Sequence, residues 1–253
     1  MVAVGIDLSA QAKGTTACWV RWGTSGAQIE RVEHEVDDSR LIAVLTERAD
    51  KIGIDVPLGW PDDFVDSVDR HHAGRPFGHS EMQRLTRRET DRYVWNRHSQ
   101  LPLSVTTDRI AYPAMRAARI LGALPGSPID RSGDGAIVEV YPAVALRVWR
   151  LQHQRYKGKT GRDLLKVILG ELRGRCTWLT ASDTVWHEVA KTDHAFDALV
   201  CSLVARTHYI GRCDAVPNEF REAARREGWI AVPVEGSLEQ LTTDSAGESL
   251  PGC

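Results

Sequence analysis

Three apolar runs in this chain are each broken by a carboxylate: Asp7 in VAVGIDL (2–8), Asp55 in KIGIDVPLG (51–59) and Glu139 in AIVEVYP (136–142). Runs this short and this rich in branched residues read as buried strands. Burying an unpaired carboxylate costs several kcal/mol, so such acids are usually paired or bound to a metal. A fourth acid, Asp197, interrupts the long apolar stretch HAFDALVCSLVARTHYI (194–210), which reads as a buried helix. Asp193 lies four residues earlier on the same helical face, and His194 three residues earlier. Any fold of this chain must therefore accommodate acids on four core elements.

If the strands are neighbours, their carboxylates converge at one edge of the sheet. Two charges about 5 Å apart repel there by roughly 3 kcal/mol at an effective dielectric of about 20. A divalent cation removes that penalty, and oxygen donors without thiolates favour Mg²⁺ or Mn²⁺ over zinc. The expectation is that Asp7, Asp55, Glu139 and Asp197 meet in one cleft as metal ligands. Two of them on opposite faces of the sheet would break that site. Taken singly, Asp7 and Asp55 could instead end their strands by binding turn amides. Asp193 fits either an accessory ligand or the N-cap of its helix, and His194 either an accessory group or an ordinary core or surface histidine.

Around these acids the pattern alternates between strand and helix. TTACWVRW (15–22) and AQIERVEHEV (27–36) show the period of two, with a Gly23–Gly26 turn between them, so the chain opens as a three-stranded meander. A helix over 40–50 and the Asp55 strand give β-β-β-α-β. From Trp60 to about Asp130 the pattern turns polar, as expected of an insertion with helices near 80–95 and 112–122. Residues 70–131 hold eleven arginines against five acids, an excess of six positive charges. Helices over 143–152, 163–173 and 219–228, a last strand WIAVPV (229–234) and a loose tail over 236–253 complete the reading, with one domain over 1–235.

At 253 residues with 42% hydrophobic and 26% charged residues, the chain can bury a sizeable core unaided, which excludes pervasive disorder. The net charge of −2 gives no global pull on nucleic acid, so such binding would need a local patch. No run reaches the roughly 18 apolar residues that span a bilayer, and the N-terminus lacks a signal-peptide pattern. Five scattered cysteines without a C-x-x-C pair read as reduced thiols. A cytoplasmic protein with no membrane partner is the expectation; oligomeric state is not legible.

The order of strand with Asp, hairpin, helix, strand with Asp and a late helix bearing H-x-x-D resembles the RNase H-like superfamily. GIDLS, IGIDVPLGWP, RRETD (87–91), VEVYPA (138–143), the YK pair at 156–157, HAFDAL and EGWIAVP together resemble domain-of-unknown-function family 429, described as predicted nucleases of that fold. The resemblance implies an α/β domain with a mixed five-stranded sheet, three antiparallel strands followed by parallel ones, flanked by helices and carrying the arginine-rich insertion. It also implies that Asp7, Asp55, Glu139 and Asp197 are the catalytic acids. The expected activity is phosphodiester hydrolysis with two Mg²⁺ or Mn²⁺ ions, Asp7 being the shared ligand. Nucleic acid would be held by Arg84, Arg87, Arg88 and Lys157, with Trp60, Tyr93 and Trp95 offering faces to unstacked bases. Two other functions fit the same acids: a non-catalytic binding scaffold, and an ATP phosphotransferase of the actin-like or sugar kinase type. Against the latter, Gly14 stands alone where those proteins carry glycine-rich phosphate loops.

Overall fold

The computed structural model describes residues 1–126 and 129–242. Strands β1 (Val2–Asp7), β2 (Thr16–Trp22) and β3 (Ala27–His34) form the expected antiparallel meander. Helix α1 (Asp38–Thr46), capped by the Asp37 carboxylate on the Arg40 N–H, then crosses to β4 (Lys51–Asp55), which pairs parallel with β1. The insertion carries α2 (Asp62–His72), α3 (Met82–Thr86), α4 (Glu89–His98) and α5 (Ala111–Gly122) before β5 (Ile137–Glu139) joins β4 in parallel. Helices α6 (Pro142–Val148) and α7 (Arg162–Arg175) follow. The short β6 (Leu179–Thr180), α8 (Asp183–Lys191), α9 (Asp193–Tyr209) and α10 (Arg221–Glu227) complete the elements.

The sheet is mixed, flanked by helices and ordered β5-β4-β1-β2-β3-β6. It has a sixth strand beyond the five expected, because β6 adds two parallel pairs to the free edge of β3. The segment 229–234 is not a full strand. It is buried beside β5, with Ile230 bridged to Glu139, but Pro233 has no N–H to continue a ladder. The first residues past 235 are not loose either: Ser237, Leu238 and Leu241 are buried, and the Ser237 hydroxyl accepts from the Trp149 indole. The rest of the expected tail, 243–253, lies outside the described residues.

Two helices were also not expected. Helix α2 buries only Ser67 among its eleven residues and so carries almost no apolar signal; its first N–H, on Asp62, is instead capped by the Glu227 carboxylate at 2.8 Å. Helix α8 did carry a signal, Ser182 capping the Val185 N–H with Trp186 and Val189 buried one turn apart.

Helix α9 lies across the middle of the sheet and is buried along almost its whole length. Two glycines make that approach possible. A Cβ at Gly5 would stand 1.9 Å from the Ala198 carbonyl oxygen, and one at Gly53 2.4 Å from that of Cys201. Gly5 and Gly53 are paired in register across β1 and β4, as are Asp7 and Asp55 two residues later. The repeated Gly-Ile-Asp thus has a mechanical meaning. On one face the glycine admits the helix backbone, and on the same face the aspartate stands at the strand end, level with the helix's first turns. The intervening Ile6 and Ile54 pack on the opposite face with α1 and α5.

Candidate metal centre

Asp7, Asp55 and Asp197 each place a carboxylate oxygen within 4.8 Å of the other two. Asp197 is fully buried, Asp7 nearly so, and Asp55 is half-buried at the mouth. Adjacent parallel strands supply the first two and the second turn of α9 the third. The His194 ring faces Asp7, Nδ1 to Oδ2 at 2.9 Å. Two neighbours reach Asp197 from the loop after α6: the Tyr156 hydroxyl donates to Oδ1 at 2.7 Å and the Lys157 ammonium lies 2.6 Å from Oδ2. Asp197 thus has a hydroxyl on one oxygen and an ammonium on the other. Among the described residues no hydrogen bond reaches the Asp55 carboxylate.

These surroundings set the protonation. Burial, helped by the neighbouring acids and opposed by Lys157, pushes Asp55 well above the usual carboxylate range, and burial raises Asp197 against the pull of Lys157 and Tyr156. The hydrogen bond to Asp7 raises His194, partly offset by burial. For Lys157, burial favours the neutral amine, but Asp197, Tyr156, Asp55 and Asp7 together outweigh it and hold the ammonium charged. Three aspartates, one lysine and one histidine thus share one site, in which Asp55 alone has no hydrogen bond among the described residues.

Glu139 does not belong to it. Its strand partner is Ile54, one residue before Asp55, so its side chain leaves the sheet on the opposite face from Asp7 and Asp55. The four-acid site is therefore broken at Glu139, for a reason of register alone. There the Arg88 guanidinium makes two bonds to the Glu139 carboxylate, 2.8 and 2.7 Å, and the Leu58 N–H donates a third at 2.9 Å. The same guanidinium binds both oxygens of Asp91, at 3.2 and 2.9 Å. All three side chains are buried. Burial still pushes the Glu139 carboxyl upward, against the pull of Arg88.

Arg88, expected on a nucleic-acid surface, is thus an internal ion-pair partner. Arg87 is half-buried and donates to the Pro102 carbonyl, while Arg84 is exposed and paired with Asp63. Much of the rest of the insertion's positive charge is also consumed internally: Arg116 is buried on Asp38, Ser9, Thr15 and Val36, Arg92 pairs with Glu89, and Arg97 with Asp214. Tyr93 packs on Trp229, 5.2 Å between centroids, whereas Trp95 is exposed and Trp60 half-exposed. Asp193 is not the N-cap of its helix. Thr192 is, accepting from the Ala195 N–H at 3.1 Å, and Asp193 instead accepts from the Gly158 N–H. The YK pair at 156–157 is marked in the sequence only by the family resemblance, with Lys157 as a nucleic-acid contact; its place beside Asp197 has no periodicity to mark it.

Together these observations define a mixed-sheet α/β protein with a three-aspartate centre at the end of its two central parallel strands. The chain belongs to the family described as protein of unknown function DUF429, whose profile matches residues 5–222, a span that includes all three aspartates. No curated protein and no solved structure matches the chain. Among the described residues no helix is long and apolar enough to cross a membrane, and Cys18, Cys176, Cys201 and Cys213 are free thiols.

Proposed function

We propose that the protein is a metal-dependent nuclease, hydrolysing phosphodiester bonds at the three-aspartate centre. The carrying observation is the convergence of Asp7, Asp55 and Asp197, with carboxylate oxygens within 4.8 Å of one another and no hydrogen bond to Asp55 among the described residues. Buried acids that exist for structure are fully partnered, as Glu139 is; here three carboxylates converge and Asp55 is left without such a partner. The donor set is all hard oxygen, which fits Mg²⁺ or Mn²⁺. Three carboxylates support one ion; with Glu139 turned away, a second would rely on water and substrate oxygens. When bound, such an ion would lower the pKa of a coordinated water and polarise the phosphoryl group.

The chain's own residues supply the rest. Asp7 and Asp55 are fixed by strand pairing and Asp197 by the glycine-seated helix, so the ligands are preorganised. Lys157, charged and half-exposed beside them, is placed to meet a phosphate oxygen once the acids' charge is neutralised. His194, hydrogen-bonded to Asp7 and partly open to solvent, can take or give the proton that accompanies water attack or departure of the leaving oxygen. The strand order also supports this reading, since it agrees with the RNase H-like arrangement that the sequence resembles. Calorimetric titration with Mg²⁺ and Mn²⁺, followed by cleavage of labelled single-stranded, duplex, hybrid and four-way substrates, tests it. Metal-dependent cleavage lost in Asp7→Asn is expected; metal binding without cleavage of any substrate would leave a scaffold.

A further inference from the structure

Beside the aspartates lies a second concavity, of about 220 Å³, which shares Asp55 and Lys157 with them. Its walls are mostly apolar, Pro57, Pro102, Leu103, Ile110 and Ile230 with the ring of Tyr141, and the mutually paired Arg88 and Glu139 also line it. The Tyr141 hydroxyl accepts from the Gln100 side-chain amide at 3.1 Å, and among the described residues nothing accepts its own proton. Leu103, on the lip, is 51% exposed in a stretch that also exposes Leu101, Tyr112 and Met115. Exposed apolar side chains grouped beside a polar site mark a binding face.

We infer that this cavity is a base pocket, which takes one unpaired nucleobase from the strand whose phosphodiester is held at the aspartates. The inference rests on the nuclease reading and gives it a substrate class: single-stranded nucleic acid, or a strand locally unpaired. Three observations choose this occupant. The cavity is below the usual several-hundred-Å³ size of pockets for larger ligands, so it fits one ring system and excludes a base pair. Its apolar walls suit the faces of a base, while the Tyr141 hydroxyl, whose proton no described residue accepts, suits a base-edge carbonyl or ring nitrogen. It also shares residues with the phosphate-facing end of the site, as a base must lie beside its own phosphate. A base still stacked in a duplex could not enter.

The test uses the full chain and three probes of equal length: a labelled single strand, its duplex, and an all-abasic strand that keeps every phosphate. Affinity is read by fluorescence anisotropy with Ca²⁺, cleavage with Mn²⁺, and Mn²⁺ binding separately by calorimetry. The single strand should bind roughly tenfold or more tighter than the abasic strand, since a base resting on side-chain surface is worth at least that factor. Leu103→Trp, a change at an exposed lip, should fill the pocket and close that gap while leaving Mn²⁺ binding and abasic-strand affinity unchanged. Tyr141→Phe keeps the ring and should erase preference among homopolymer strands. Equal binding of intact and abasic strands by the wild type, or a gap that survives Leu103→Trp, overturns the base pocket while metal-dependent cleavage leaves the nuclease reading intact. Mn²⁺ binding with neither affinity for nor cleavage of any strand overturns both.

Discussion

Two clusters of buried carboxylates lie at the same end of this sheet, on its opposite faces, and their chemistry differs. In the first, Arg88 spans Asp91 and Glu139, and every carboxylate oxygen of the pair accepts at least one directed hydrogen bond, Leu58 and the Arg88 backbone supplying the others. In the second, Asp7, Asp55 and Asp197 crowd one another, Lys157, Tyr156 and His194 partner only Asp197 and Asp7, and Asp55 has no hydrogen bond among the described residues. A satisfied cluster stabilises the fold through its geometry and loses stability when one member is removed. An unsatisfied one stores repulsion that a cation or proton can relieve. Burial alone does not separate the two kinds; donor accounting does.

The largest way to break this comparison is catalytic. Asp7→Asn should lower Mn²⁺-supported turnover by several orders of magnitude, measured as single-turnover cleavage, because Asn retains shape without the charge that holds the ion. Its metal-free melting temperature should equal or exceed that of the wild type, since repulsion falls. Cleavage at the wild-type rate would remove Asp7 from the centre. Next in size is Arg88→Ala, which strands two buried acids and should cost about 3–5 kcal/mol in urea unfolding. For the same reason Arg84, Arg87 and Arg88 replaced together by Ala should lose at least as much stability as Arg88→Ala, whereas Arg84→Ala alone should leave stability almost unchanged.

A third contrast concerns pH. Asp55 and Asp197 are raised by burial, so between the unfolded carboxyl value near 4 and their folded values the native state binds more protons than the unfolded one. Their contribution to metal-free stability therefore declines as pH rises through that window. The hydrogen bond that raises His194 acts in the same sense higher up: its contribution is full below about 6.5 and is lost as pH rises through the folded value. Melting scans of wild type and Asp55→Asn should diverge in favour of the variant as pH rises. The increase in melting temperature caused by Mn²⁺ should grow with pH, because the ion competes with protons for the same oxygens. The smallest effect separates neighbours on α9: Thr192→Ala removes the cap and should cost about 1 kcal/mol, while Asp193→Ala, losing only a helix-end charge and the Gly158 contact, should cost a few tenths. Equal losses would return Asp193 to the capping role.

Legibility followed the range of the forces involved. The meander, β4, α1, α5 and the buried α9 announce themselves through periodicity, and Asp7, Asp55 and Asp197 stand out as charges where the pattern forbids them. Those are local statements about one chain segment and water, which is why sequence alone determined the α/β class and the presence of a buried acidic centre. The repeated Gly-Ile-Asp even carries the register that joins two of the acids, once the glycines are recognised as room for a helix backbone. Glu139 carries the same signature of an acid inside an apolar run, without the glycine two residues before it. A one-residue offset in the β4–β5 pairing turns it to the other face, where an arginine from the insertion meets it. Helix α2, held by a carboxylate from α10, and Lys157, brought from a surface turn to Asp197, likewise depend on partners far along the chain. Those assignments were decided only by the tertiary structure, because a carboxylate's role is fixed by the donors within about 3 Å of it, and strand register and long-range packing choose those donors.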